Sequence, residues 1–183
     1  MIEIYAAMTP SQRLDRALAL TDVTWRLALA GLRRQDPDAD ERDLQRQLAT
    51  RVYGDELVRD LPRHAIAVGL TRRGAFLETI DRAGATLDKL GVEWALGGSL
   101  ACSTHGEPRS AIGIEIMVDP RSFASSKLSE LIQSGQCSWL DGRTLVKTEL
   151  SIVREFDVSR RLLVEVDGVA CRVLSRERGE NSG

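Results

Sequence analysis

The stretch that decides the fold is residues 90–119, LGVEWALGGSLACSTHGEPRSAIGIEIMVD. It opens with a short apolar run at residues 92–96 that ends at two glycines, which is typical of a buried strand followed by a tight turn. A run of small residues then favours a short helix, and a second turn follows at residues 106–108. Apolar residues then alternate around Glu115, as in a strand with one buried face. The stretch therefore predicts a strand, a helix and a second strand in close succession.

The flanking sequence adds a helix before this stretch and strands after it. Upstream, apolar residues recur at helical spacing as far as Gly91, a favourable capping position: Phe76, Ile80, Ala83, Leu87 and Leu90. Downstream, a further helix is predicted over residues 120–135, and strands are predicted at residues 137–140, 144–147, 162–166 and 169–173. Asp167-Gly168 is a strong hairpin signal. We therefore predict an α+β fold in which helices lie on one side of a small mixed sheet.

The first sixty residues predict a helical hairpin. Thr9-Pro10 starts the first helix, which ends near Arg34 and carries one apolar stripe: Leu14, Leu18, Thr21, Trp25, Ala28 and Leu32. A second helix starts at Asp38, with Glu41 three residues later, and its buried face is Leu44, Leu48 and Val52. Two helices cannot bury both stripes alone, so the hairpin packs on the rest of the chain, on a second copy in a homodimer or on a partner protein. We assign residues 1–62 to this hairpin and residues 73–183 to an α/β core.

Composition and charge narrow the class of protein. A chain of 183 residues, 43% hydrophobic and 28% charged, is long enough to bury a core. Its net charge of -2 gives no strong signal for nucleic-acid binding. No apolar run approaches bilayer length and the N-terminus lacks a signal-peptide pattern, so we expect a cytoplasmic protein without a membrane partner. Cys102, Cys137 and Cys171 form no C-x-x-C pair, so we expect buried thiols rather than a disulfide or zinc site.

Three features of the central stretch together resemble the nucleotidyltransferase superfamily, and most of all its minimal and toxin–antitoxin-type members. They are Gly97-Gly98-Ser99, Pro108-Arg109 and the strand around Glu115. The resemblance covers about residues 76–173. It implies that a nucleoside triphosphate is bound by Gly97, Gly98 and Ser99, with Arg109 near its phosphates. It also implies Mg²⁺ held by Glu115, because Mg²⁺ prefers carboxylate oxygens.

The sequence departs from this family at the metal strand. Gly113 stands where the family has its first acid, so the metal site is degenerate. By resemblance, the strand for a third acid falls at residues 143–146 and leaves Thr144 where an aspartate is wanted. Glu165 and Asp167 are other candidates, although an outward face and a turn explain them more simply. His105 is better explained as a helix-end or core residue than as a catalyst.

Three hypotheses about function follow. The first is a nucleotidyltransferase-fold protein that is weak or inactive in nucleotidyl transfer and binds a nucleotide or a partner in a toxin–antitoxin context. The second is an active Mg²⁺-dependent enzyme that modifies a tRNA or a protein, with Glu115 and either Glu165 or Asp167 holding one Mg²⁺. The third is a non-catalytic interaction module that uses the N-terminal helices.

Overall fold

The computed structural model describes residues 2–123, 138–153 and 156–174. Within these residues the helices are α1 (Ile2–Ala7), α2 (Pro10–Gln35), α3 (Glu41–Tyr53), α4 (Asp55–Val58), α5 (Arg72–Lys89) and α6 (Gly98–Thr104). The strands are β1 (Trp94–Leu96), β2 (Ile114–Val118), β3 (Ser138–Leu140), β4 (Lys147–Ile152), β5 (Arg161–Val166) and β6 (Val169–Leu174). Short 3-10 turns occur at Arg63–Ala65, Pro120–Phe123 and Val158–Arg160.

The six strands form one mixed sheet in the order β3-β4-β2-β1-β6-β5. β2 runs parallel to β4 and antiparallel to β1, while β1 runs parallel to β6. β3 and β5 pair antiparallel with β4 and β6 at the two edges. The predicted α+β class is confirmed, and the predicted hairpin at Asp167-Gly168 joins β5 to β6.

The main core lies between one face of this sheet and the helices α2, α5 and α6. β2 shows the division most clearly, because Ile114, Ile116 and Val118 are buried while Glu115 and Met117 are half-exposed. The helices contribute Leu14, Leu18, Phe76, Ile80 and Leu100 to the same cluster. Glu115 therefore lies on the face of the sheet opposite to the one that packs against these helices.

The N-terminal helices pack within the chain. Thr9 caps α2 in a capping box with Gln12, as its position before Pro10 suggests. One end of the inner stripe of α2 enters the main core, and the other end forms a cluster with α3 that contains Trp25, Leu32, Leu44 and Leu48. Packing within the chain is thus present, while the domain boundaries at residues 62 and 73 stay predictions.

Several predicted details are wrong. α3 is capped by Asp40, which accepts a hydrogen bond from the Arg42 N–H, rather than by Asp38. Val52, predicted on the buried face of α3, is exposed, because Ala49 and Tyr53 form the packed face at the end of this helix instead. The strand predicted at residues 144–147 is a turn instead, and β4 starts where that prediction ends. Of the helix predicted over residues 120–135, residues 124–135 lie outside the described residues, as do Cys137 and the tail at residues 175–183.

The turn that replaces the predicted strand is held by Asp141. Its Oδ1 accepts hydrogen bonds from the N–H groups of Arg143 and Thr144, and its carbonyl accepts one from the Leu145 N–H. Leu145 has a φ of 52°, which is left-handed and unusual for leucine. Because these bonds occupy the backbone of residues 141–145, those residues cannot join the sheet ladder.

Candidate functional site

The turn between β1 and α6 lies directly against Glu115. Gly98 has a φ of 55°, a left-handed conformation that favours glycine. A Cβ on Gly98 would lie 2.6 Å from Oε2 of Glu115, so a side chain at this position would displace the carboxylate. The predicted juxtaposition of glycine turn and acidic strand therefore exists in the structure.

The neighbouring residues of the turn support this close approach. The Gly97 N–H donates a 2.9 Å hydrogen bond to the Glu115 carbonyl, and a Cβ on Gly97 would lie 2.9 Å from Cγ of Met117. Ser99 follows in the first turn of α6 and is half-exposed. We use the name Gly98–Glu115 cleft for the surface formed by Gly97, Gly98, Ser99 and Glu115.

Arg109 is engaged by residues in and just after α6. Its guanidinium pairs with Glu107 at 3.1 Å, and its backbone exchanges hydrogen bonds with the buried Ser103 hydroxyl. His105 Nε2 lies 2.6 Å from the carbonyl oxygen of Leu174, at the end of β6. The structure thus ties both side chains to the scaffold around α6, and a role of Arg109 toward phosphate stays a prediction.

Gly113 has a steric explanation in the backbone around it. It precedes β2, and a Cβ on it would lie only 2.6 Å from the backbone carbonyl oxygen of Lys147. A side chain at this position would therefore collide with the first residue of β4. The close approach of two backbones explains the glycine without reference to a decayed site.

The acid nearest to Glu115 in the sheet is Glu149, which the sequence analysis missed. Glu115 and Glu149 are paired in register on the parallel strands β2 and β4, so their side chains lie on the same face. Glu149 is exposed and forms an ion pair with Lys147 at 3.5 Å. The alternating pattern of residues 147–152, KTELSI, was the available signal for this strand.

The other acids and the threonine considered for this site lie elsewhere. Thr144 is buried in the turn before β4, and its hydroxyl lies 2.7 Å from the hydroxyl of Thr79 on α5. Glu165 is exposed on β5, three strands away from β2, which is about 14 Å at the usual strand spacing. Asp167 pairs with Arg73 at the far hairpin. The structure therefore does not place Glu165 or Asp167 beside Glu115, and shared binding of a Mg²⁺ stays a prediction.

The donor set of the cleft does not fit a two-Mg²⁺ clamp. Such a clamp needs several carboxylates converging on one point, because each Mg²⁺ takes oxygen ligands at about 2.1 Å. Within residues 2–123, 138–153 and 156–174, no group of three or more His, Cys, Asp and Glu side chains is close enough to hold a metal ion. Asp119, the next acid along β2, is engaged by Arg121 at 2.8 Å.

A second polar cluster joins the N-terminal helices to the strands that carry Glu115 and Glu149. Arg72, at the start of α5, is only 4% exposed and stacks 3.9 Å from the centre of the Trp25 ring. Its guanidinium donates to the carbonyls of Thr144 and Leu145, at 3.1 and 2.8 Å, and to the Tyr53 hydroxyl. We call this cluster the Tyr53–Arg72 clamp.

The clamp holds the backbone just before each of the two acidic strands. The Tyr53 hydroxyl donates a 2.6 Å hydrogen bond to the carbonyl of Ile112, two residues before β2. Thr144 and Leu145 lie just before β4. Burial lowers the pKa of Arg72 and raises the pKa of Tyr53, although their mutual contact opposes both shifts. A buried arginine has no pattern that would reveal it in the sequence.

Comparison with protein-family models gives a match over the N-terminal part of the chain. Residues 6–77 match the model of the Rv0078B-related antitoxin family, which covers α2, α3, α4 and the start of α5. Neither the curated proteins nor the solved structures contain a match to the chain. The match fits a toxin–antitoxin context. It does not reach the Gly98–Glu115 cleft, so the nucleotidyltransferase resemblance stays a prediction.

No described helix combines the length and apolar composition needed to cross a bilayer.

Proposed function

We propose that this chain acts in a toxin–antitoxin context by binding a protein toxin, and that nucleotidyl transfer is not its role. The observation that carries the proposal is the match of residues 6–77 to an antitoxin family, since this segment forms a set of helices in which α2 packs on α3 and on α5, called here the helical layer. The layer is built into the protein by the Tyr53–Arg72 clamp and by the inner face of α2. It is thus held rigidly enough to present a surface to a partner.

The geometry of the cleft supports the second half of the proposal. Two adjacent carboxylates, Glu115 and Glu149, repel the phosphates of a nucleotide unless cations neutralise them. Loss of part of a metal clamp costs several kcal/mol of charge stabilisation, and each ~1.4 kcal/mol is about tenfold in rate. In this proposal the cleft takes no part in the function, and the sheet supports the helical layer through its opposite face.

Growth rescue in bacteria tests this function. Toxins from toxin–antitoxin pairs are expressed singly at levels that arrest growth, and the full chain is co-expressed with each one. We expect rescue from at least one toxin and co-elution of that toxin with the chain. Glu115→Gln and Glu149→Gln variants should rescue as well as the parent, because the cleft takes no part. Rescue that disappears in folded Glu115→Gln would contradict the proposal.

A second candidate is Mg²⁺-dependent transfer of nucleotide to a tRNA or a protein. The observation in its favour is the pairing of Glu115 with Glu149 across β2 and β4. Calorimetry with ATP, GTP and CTP in the presence of Mg²⁺ tests the binding step, and labelled nucleotides with tRNA and protein acceptors test transfer. Absence of heat for all three nucleotides would remove this candidate.

A further inference from the structure

α2 carries a second apolar stripe on the side away from the core. Leu20, Val23 and Leu27 are 47%, 45% and 69% exposed, and Ala30 continues the series. They follow one another at steps of three and four residues, which is the spacing of a coiled-coil seam. At 3.6 residues per turn, this stripe lies on the opposite side of the helix from the buried Leu14. A single exposed leucine is ordinary, but a row of this regularity is not.

The stripe ends in a positive charge on both sides. Arg16 and Arg34 occupy the next positions of the same spacing and are exposed. Neither forms an ion pair with any residue of the described ranges. The acids of α2 lie on its inner half, where Asp15 and Asp22 are held in ion pairs. The outer face of α2, defined here as Arg16, Leu20, Val23, Leu27 and Arg34, is therefore apolar with cationic ends.

A second copy of the chain is a poor occupant for this face. If two α2 helices paired antiparallel about the middle of the stripe, Arg16 of one would face Arg34 of the other. If they paired parallel, each arginine would face its own equivalent. Both arrangements bring like charges together across an apolar seam, which is unfavourable. Complementary charge requires carboxylates at both ends, about 27 Å apart for eighteen residues of helix.

We propose that the outer face of α2 is the docking site for an amphipathic helix of a protein partner. The apolar seam of that helix packs on Leu20, Val23 and Leu27, and its carboxylates meet Arg16 and Arg34. This inference rests on the proposed function, which gives the chain a protein partner, and the antitoxin-family match spans all of α2. It adds which surface is used and what chemistry the partner presents.

Two synthetic three-heptad peptides test the inference against the full chain. Both carry the same leucine seam, but one has glutamates at the positions that flank the seam ends and the other has lysines. Fluorescence anisotropy should show the glutamate peptide binding about tenfold more tightly than the lysine peptide, with a smaller difference at high salt. Reversal of both charges with Arg16→Glu and Arg34→Glu should invert this preference.

Matched variants localise the binding. Leu27→Glu should weaken binding of the glutamate peptide about tenfold or more, because it places a charge in the seam. Leu163→Glu on β5 is the control, since Leu163 is 68% exposed and Leu27 is 69% exposed. It should leave binding within about twofold of the parent. Circular dichroism and melting temperature show whether each variant is folded.

Three results would overturn the inference: equal binding of both peptides, binding unaffected by Leu27→Glu, or self-association of the chain that Leu27→Glu abolishes. The last result would assign the face to a second copy.

Growth rescue separates this inference from the proposed function. Rescue that persists in Leu27→Glu keeps the function and refutes the docking site, whereas absence of rescue in the parent refutes the function.

Discussion

Gly113 lies where the backbone before β2 meets β4, and its missing side chain has a steric cause. A Cβ here would lie 2.6 Å from the Lys147 carbonyl oxygen, well inside contact distance. We expect Gly113→Ala and Gly113→Asp each to lower the free energy of unfolding by about 1–3 kcal/mol, as overpacking does. Urea denaturation measures this loss.

A suitable control for Gly113 is Gly142, where a Cβ would lie 3.5 Å from Cδ2 of Leu61, an ordinary contact. Gly142→Ala should change stability by no more than about 0.5 kcal/mol. If Gly113→Asp were as stable as the parent and gained Mg²⁺ binding in calorimetry, position 113 would be a metal-ligand position that has lost its acid.

Arg72 donates hydrogen bonds to the carbonyl oxygens of Thr144 and Leu145 and to the Tyr53 hydroxyl. Arg72→Met leaves the carbonyls of Thr144 and Leu145 unpaired and should cost about 3 kcal/mol of stability. Arg72→Lys should also be destabilised, because an ammonium cannot reproduce the planar fork or the stacking on Trp25. Chemical denaturation tests both.

The matched control for Arg72 is Arg59, an exposed residue that pairs with Asp55 one helical turn earlier. Exposed pairs contribute little, so Arg59→Met should cost less than about 1 kcal/mol. Equal losses at Arg72 and Arg59 would show that the clamp is not a structural connection.

At the scale of elements, α2 has two apolar faces with different energetic roles. Leu14 is fully buried in the main core, whereas Leu20 is 47% exposed. Leu14→Ala should cost about 3 kcal/mol, because it leaves a cavity between helix and sheet. Leu20→Ala should cost no more than about 0.5 kcal/mol in the isolated chain. Thermal or urea unfolding measures both losses of unfolding free energy. Similar losses for Leu14→Ala and Leu20→Ala would mean that α2 does not pack as described.

Local patterns explain which elements could be predicted from the sequence. α2 follows from its capping box and stripe, and the β5–β6 hairpin follows from Asp167-Gly168, because each signal involves only neighbouring residues. β4 was placed too early, since the turn at Asp141 competes with the sheet through bonds that no periodicity shows. α1 was missed because it is short and Tyr5 anchors it to distant Ser103.

The candidate site likewise divides into contacts between residues close in sequence and contacts between distant residues. The contact of Gly98 with Glu115 could be predicted, because both belong to one strand–turn–helix–strand unit. Glu149 could not be placed beside Glu115 without the register of β2 on β4, which pairing between distant residues determines. The Tyr53–Arg72 clamp depends on tertiary contacts alone.

At the scale of the whole molecule, stability should decrease in acid. Hydrogen bonds from Arg172 and Arg121 lower the pKa of Asp88 and of Asp119, respectively. A carboxylate with a lowered pKa in the folded state stabilises the protein above its ordinary pKa, and this contribution is lost as the pH falls through the lowered value. We therefore expect the melting temperature to fall below about pH 4. Asp119→Asn should be less stable at pH 7 and should show a shallower decrease in acid.

Alkaline conditions should also destabilise the fold, because two tyrosines have raised pKa values in the folded state. Burial raises the pKa of Tyr5 and of Tyr53, so the unfolded chain loses these protons first. Their contribution is complete below about pH 10 and is lost as the pH rises through the raised values. Tyr53→Phe should reduce the alkaline decrease in melting temperature, and an unchanged pH profile would argue that Tyr53 is accessible to water.

β6 is the final strand in sequence among those described, yet it sits inside the sheet between β1 and β5. During translation the antitoxin-like helices leave the ribosome about ninety residues before Val169, roughly 5–18 s earlier at ~5–20 residues per second. Until β6 is made, β1 can pair only with β2, and β5, the strand that packs against α2, cannot join the sheet. We therefore expect a nascent chain that stalls before β6 to expose apolar surface and an unpaired strand edge, the two features that make folding intermediates prone to aggregation.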